Sequence, residues 1–308
     1  MTFNEGMQID PDAVSSGGGP GRGGKIALGG GAGGLIVLVL ALLLGGDPGS
    51  LLGDLTGSED QQQTQATEGT PTHCKTGADA NKYADCRVAL TTQSLNSVWS
   101  GEFNKQTGRQ YAQPSVRLFS GAISTACGNA TSDIGPFYCP PDRTGYFDVT
   151  FFQELVDRFG SSGGPLAQEY VVAHEIGHHI QNLLGDIGRA QRDPRGPESG
   201  AVRTELQADC YAGIWAHFAD KTPSPGGGQP FLKPLSENDI RDALSAASAV
   251  GDDRIQKASQ GRVNPEAWTH GSSEQRQKWF LTGYQTGQVK ACDTYSAQNL
   301  DAPPALRR

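Results

Sequence analysis

Within the stretch VVAHEIGHHIQNLLG, the residues His174, Glu175, His178 and His179 fall inside six positions and hold half of the chain's six histidines. His174 and His178 are four apart, which on a helix stacks them one turn above each other on the same face. Two neutral imidazoles so placed reach one zinc ion, at about 2.0–2.1 Å. Glu175 is the next residue along and faces the same ion without ligating it, where a carboxylate takes a proton from metal-bound water. The plain alternative is a polar surface turn. Val171, Val172, Ile176, Ile180, Leu183 and Leu184 argue against it, because they give this helix a buried surface. Gly177 leaves room for close approach beside the pair at some cost in helix stability. His179 breaks the ligand spacing and reads as a peripheral side chain.

A catalytic zinc site usually has three protein ligands and an open position. The extended pattern with a third histidine six residues on is absent, since Leu184 stands there. Glu205, in TELQADC, is the better third ligand. Asp209 shares its helix face four residues later and is expected to accept the outer N–H of a ligating histidine, which fixes that ring's tautomer. The bland reading of both acids is a solvated helix face; Leu206, Ala208, Ala212, Ile214 and Trp215 around them favour the site.

HEIGHH followed by ELQADCYAGIWA resembles the bacterial neutral zinc metallopeptidase family, a membrane-anchored group whose H-E-x-x-H plus E-x-x-x-D logic is similar to that of the gluzincins. GPFYCP, GDDRIQ, QGRVNPEAWTHGSSEQR and WFLTGYQTG extend the likeness over about 115–293. The resemblance implies a zincin-like domain with Zn2+ on His174, His178 and Glu205, Glu175 as general base, and a peptide or protein as substrate. His270, in WTHGSSEQR, is the remaining histidine in a turn-like stretch; it is either a catalytic donor to the tetrahedral oxyanion or a histidine bonding loop backbone. His73 and His217 read as structural, and Asp252, Asp253 and Arg254 as a structural ion-pair cluster. Two other functions stay open: a catalytically silent, zinc-stabilised binding module, and a zinc amidase acting on cell-wall material. The intact Glu175 speaks against the first, since pure metal storage needs no such carboxylate.

The elements that must position these residues follow from pattern and punctuation. A helix is expected over 79–100, strands at Ser115–Phe119 and Tyr146–Thr150, and a short helix ending at Gly160. The metal-bearing helix starts at Pro165 and stops at Gly185. Val202–Phe218 forms a second long helix; Ser236 with Asp239, and Ser272 or Ser273, open the last two. Strands early and helices late suit an α+β fold.

Composition divides the chain further. Residues 1–25 carry almost nothing to bury and read as a disordered cytoplasmic head. Ile26–Leu44 is 19 residues without a charge, close to the roughly 20 a bilayer span needs. A cleaved secretory signal is the rival reading, but no A-x-A site follows. Arg22 and Lys25 precede the span and no basic residue follows before Lys75, which predicts a single-pass cell-membrane protein with an extracytoplasmic domain. Residues 45–72 read as a flexible linker and 73–308 as the metallopeptidase domain. A net charge of −8 argues against nucleic acid as a partner. All six cysteines lie beyond the apolar stretch and admit about 15 pairings. Cys74–Cys86 and Cys127–Cys139 are the shortest loops to close, leaving Cys210 for Cys292; the alternative leaves Cys210 a buried free thiol.

Overall fold

The computed structural model describes residues 2–16, 70–226 and 228–306. Chain order gives β1 (Ser15–Ser16), α1 (Gly77–Lys82), α2 (Ala84–Thr107), β2 (Ser115–Phe119), β3 (Ala122–Thr125), β4 (Gly128–Thr131), β5 (Phe137–Cys139), β6 (Thr144–Asp148) and α3 (Phe151–Asp157). Five longer helical segments follow: α4 (Pro165–Leu184), α5 (Gly200–Ala219), α6 (Glu237–Ala249), α7 (Asp252–Gln260) and α8 (Ser273–Thr286). This is a mixed α/β domain, with strands early and most helices late.

Helix α4 begins with Pro165 in its first turn and ends at Gly185, whose φ of 85° is the left-handed cap that glycine adopts without strain. Ser199 caps α5 by accepting from the Val202 N–H at 3.2 Å. Capping boxes open α6 at Ser236 and α8 at Ser272. The helix expected over 79–100 divides at Tyr83, which is extended, so that α1 and α2 are separate.

Helices α2, α4, α5 and α8 bury one apolar core that includes Trp99, Tyr170, Trp215, Trp279 and Phe280. The main sheet, ordered β1-β2-β6-β5, packs against α4 through β5. Its β1–β2 and β2–β6 pairs are parallel and its β5–β6 pair antiparallel. Parallel pairing was not part of the expectation; the long excursions between partners permit it. A β3–β4 hairpin stands apart, tied to β5 by Cys127–Cys139. Cys74–Cys86 and Cys210–Cys292 also form, so the shortest-loop pairing is the observed one and no described cysteine is free.

Over its described residues, 2–16, the N-terminal head is not a disordered appendage. Phe3, Met7, Ile9 and Val14 are buried in the main core. Backbone bonds hold the segment in place: Asn4 N–H to Phe231 O at 2.9 Å, Ile9 N–H to Lys75 O at 2.9 Å, and Lys233 N–H to Thr2 O at 2.7 Å. Average composition hid this, because four apolar side chains suffice when each meets its own socket. Thr2 Oγ1 also donates to Glu169 on α4.

The expected single-pass architecture is corrected by the same contacts. Ile26–Leu44 lies outside the described residues, and among the described residues no helix is long and apolar enough to cross a membrane. Thr70 N–H bonds Pro11 O at 2.8 Å, so residues before and after that stretch meet at one place. One crossing between Ser16 and Thr70 would set these partners on opposite sides of a bilayer. The cytoplasmic N-terminus, extracytoplasmic domain and single-span anchor are therefore withdrawn.

Phe3→Ala should cost about 3–5 kcal/mol in urea unfolding, as a fully buried aromatic does; an unchanged midpoint would restore the loose head. Burial raises the Glu169 carboxyl to about 7, with Thr2 and Arg87 opposing. A raised folded pKa means stability is retained below the unfolded value near 4.5 and lost as pH climbs to about 7. Glu169→Gln should therefore gain on the wild type across that window, by up to about 3 kcal/mol above pH 7. Parallel stability curves for the two proteins from pH 4 to 8 would refute this.

Candidate metal centre

Helix α4 carries His174 and His178 one turn apart, with ring centroids 4.8 Å from each other. Glu205 reaches them from α5: its Oε2 lies 3.2 Å from His174 Nε2 and its Oε1 lies 3.5 Å from His178 Nε2. The three ligand atoms lie within 4.8 Å of one another and all three residues are buried. The helices approach this closely because residue 177 is glycine. A Cβ there would stand 2.8 Å from Ala208 O on α5, closer than van der Waals contact permits.

The far side of each ring is fixed. His174 Nδ1 lies 2.8 Å from Asp209 Oδ1, the partner expected from the sequence. His178 Nδ1 lies 2.8 Å from Gln181 Oε1. The Gln181 amide cannot turn round, since its Nε2 donates to Thr204 O at 2.6 Å and Gln207 Oε1 at 3.0 Å. Both Nδ1 atoms therefore donate, and both Nε2 lone pairs face the Glu205 carboxylate. Acceptors facing acceptors in a buried space require a cation or a proton between them. Two imidazole nitrogens and one carboxylate oxygen form a donor set that zinc takes in open, three-ligand sites.

The charges around the cluster express the same demand. Burial works against a charged His174, yet Asp209 and Glu205 raise it to about 9. Burial lowers His178 to about 4, which keeps its ring neutral. Burial also opposes the charge on Glu205, but the two histidines hold its carboxyl far below the usual range. Asp209, fully buried, is held at about 2 by Arg276 and His174 against the cost of its desolvation.

Arg276, from α8, grips Asp209 with Nε and Nη2 at 2.8 and 2.9 Å. Tyr170 OH donates to the same carboxylate. Sequence reasoning missed Arg276 and Gln181. Gln181 had a usable signal, three residues after His178 on the same helix; Arg276 had none beyond its place in a buried helix.

Glu175 lies beside the three donors without joining them, on the wall of a cavity that His174, His178, Glu205, His270 and Arg276 also line. Burial pushes its carboxyl up to about 7, with Glu205 adding and His174 opposing. His270 is buried in the same wall. Its Nδ1 meets Asp252 Oδ1 at 3.3 Å and Thr269 Oγ1 at 2.8 Å. Asp252 Oδ2 also accepts the backbone N–H groups of Thr269, His270 and Gly271 at 2.7, 2.7 and 3.0 Å.

That overturns the ion-pair cluster expected at 252–254. Asp252 builds the His270 turn, Asp253 accepts from Ser273 N and Oγ, and Arg254 donates to Phe159 O and Ser248 Oγ. His179 is also not peripheral. It is fully buried, with Nε2 2.6 Å from Ala112 O and Nδ1 2.8 Å from the hydroxyl of Tyr138, another residue lining the cavity. Burial lowers it to about 4, so the neutral ring donates from Nε2 and accepts from Tyr138. His217 bonds Tyr284 O at 2.6 Å and His73 pairs with Asp85 at 3.1 Å. His73 and Asp85 also flank Cys74 and Cys86, whose sulfurs are committed to their disulfide.

The sequence profile of the family described as "Putative neutral zinc metallopeptidase" matches residues 4–295. The uncharacterized protein Rv2575 of Mycobacterium tuberculosis is 55% identical over 300 residues, covering 97% of this chain and 100% of that relative. The uncharacterized protein YpfJ of Escherichia coli is 38% identical over 290 residues, covering 92% of this chain and 94% of its own length. No solved structure matches the chain significantly.

Because Gln181 alone holds the outer nitrogen of His178, Gln181→Ala should lower zinc affinity about 10–100-fold in competition with a chromophoric chelator. Unchanged affinity would mean that the ring needs no such support.

Proposed function

The chain belongs to the neutral zinc metallopeptidase family, and on that premise we propose that it is a zinc-dependent hydrolase of peptide bonds with Glu175 as its general base. The observation that carries this reading is the place of Glu175: buried, in the cavity wall, adjacent to a complete three-donor set and no part of it. A site that only stored metal would have no use for a carboxylate there. Bound on His174, His178 and Glu205, zinc supplies a Lewis acid for the scissile carbonyl and lowers the pKa of water.

The chain's own residues do the rest. The Glu175 carboxylate takes a proton from the attacking water and returns it to the leaving amine. Burial opposes a charge on His270, but Asp252 and Glu205 raise its pKa; in the protonated ring Nδ1–H faces Asp252 and Nε2–H donates to the substrate oxygen as negative charge develops. Asp252 is a positioning residue: one carboxylate holds both the ring and the turn that carries it. Strand β5 is the edge of its sheet, and its Phe137 and Tyr138 line the cavity. A peptide lying along that edge as an added strand has backbone partners on one side and the metal centre beside it.

Glu175→Gln should retain stoichiometric zinc while its kcat on a peptide library falls about 10²–10⁴-fold, the usual worth of a general base. Glu205→Ala should lose the metal. His270→Ala should keep the metal and lose about 10²–10³-fold in kcat. Full activity in zinc-loaded Glu175→Gln would refute the mechanism, and stoichiometric zinc in Glu205→Ala would refute the third ligand.

A further inference from the structure

Away from the His174 centre, a second set of metal-binding side chains stands together among the described residues. The donor atoms of His73, Cys74, Asp85 and Cys86 lie within 4.8 Å of one another. In the oxidised chain the two sulfurs are joined. We infer that, once this disulfide is reduced, the same four residues bind a further divalent ion, of the thiolate-binding class to which zinc belongs.

Donor chemistry, spacing and position carry it. Two thiolates, an imidazole and a carboxylate are ligand types that zinc takes in closed, four-coordinate sites. A tetrahedron with bonds of about 2.0–2.3 Å has edges of roughly 3.3–3.8 Å. The freed sulfurs therefore part while the imidazole and carboxylate close in, by side-chain rotation. His73 and Asp85 already face each other, Nε2 to Oδ2 at 3.1 Å, and Tyr83 meets the His73 ring edge-on at 5.0 Å. The donors come as two adjacent pairs, His73–Cys74 ahead of α1 and Asp85–Cys86 in the first turn of α2. The start of a long helix favours the thiolate form of Cys86. The His73 side chain is 49% exposed, which gives an ion its way in.

A dithiol reductant supplies the two electrons. One of its sulfurs attacks Cys74, which is 4% exposed, and the fully buried Cys86 leaves as thiolate. The second dithiol sulfur then displaces Cys74. The reductant departs as a cyclic disulfide, and its two protons pass to the cysteines. Those protons go to solvent when the ion binds the two thiolates.

Disulfide and ion are thus alternative clasps on one loop. That loop moors the N-terminal head: Lys75 O accepts the Ile9 N–H at 2.9 Å, and the Gly77 N–H donates to Met7 O at 2.8 Å. An ion that closes the loop again keeps the head docked under reducing conditions.

The test uses the full-length protein, stripped of metal, with Co2+ as the probe. Cobalt on thiolate gives a charge-transfer band that a centre of two histidines and a carboxylate lacks. Reduced with a phosphine, the protein should bind one more cobalt than the oxidised protein, and the band should appear with it. Cys74→Ser combined with Cys86→Ser should lose both. His73→Ala and Asp85→Asn keep both sulfurs and should weaken the extra site by at least the roughly 10–100-fold that loss of an outer partner costs. Equal cobalt in the two redox states, no band on reduction, or a band that survives the double serine change overturns the inference, whether or not the reduced chain keeps its fold. So does an affinity that neither His73→Ala nor Asp85→Asn lowers. None of these outcomes bears on the His174 centre or on peptide cleavage.

Discussion

A carboxylate with no access to water needs its charge answered on several sides, and Asp209 has it answered from two neighbouring helices at once. Arg276 of α8 grips both its oxygens, Tyr170 and His174 of α4 meet one of them, and α5 carries the residue itself. Burying such a pair gains little net stability over an apolar core of the same shape, because desolvation offsets most of the attraction. What it secures is orientation. The Nδ1–H of His174 has one acceptor to turn toward, so its other nitrogen points at Glu205 and nowhere else. The geometry of the whole donor set depends on that ring being still.

The same logic recurs in cheaper form around the cavity. Gln181 does for His178 with a neutral amide what Asp209 does for His174 with a charge. Asp252 holds His270 and its turn together through four acceptor contacts. His179 and Asn182 hold Tyr138 between them. Each of these rings facing the cavity is backed by a partner whose own hydrogen bonds are already committed.

How much of this the sequence discloses depends on range. His174, Glu175 and His178, the Pro165 start, the Gly185 stop and the Ser236 cap are local patterns, legible because spacing of three or four residues fixes them. Glu205 and Asp209 were legible as a second helical pair beside an apolar face. Two disulfides were legible as the shortest loops to close, and Cys210–Cys292, across 82 residues, only as the pair they leave over. Arg276, Asp252 and the burial of His179 were not legible, because each acquires its role from a partner far along the chain: 67 residues for Arg276 and Asp209, 67 for His179 and Ala112. The N-terminal segment failed for a different reason. A mean over 25 residues dilutes four apolar side chains until they vanish, while the fold uses them one at a time.

That segment also constrains how the chain is made. Asn4 bonds Pro230, 226 residues ahead, so during translation the segment around Asn4 has no socket until the chain has been made as far as residue 230. At about 5–20 residues per second the wait is roughly 10–45 s. The domain therefore closes after synthesis of its helical half, not vectorially from the amino end. For anyone preparing the protein, a purification tag fused directly ahead of the buried Thr2 has to make its way out from inside the packed structure.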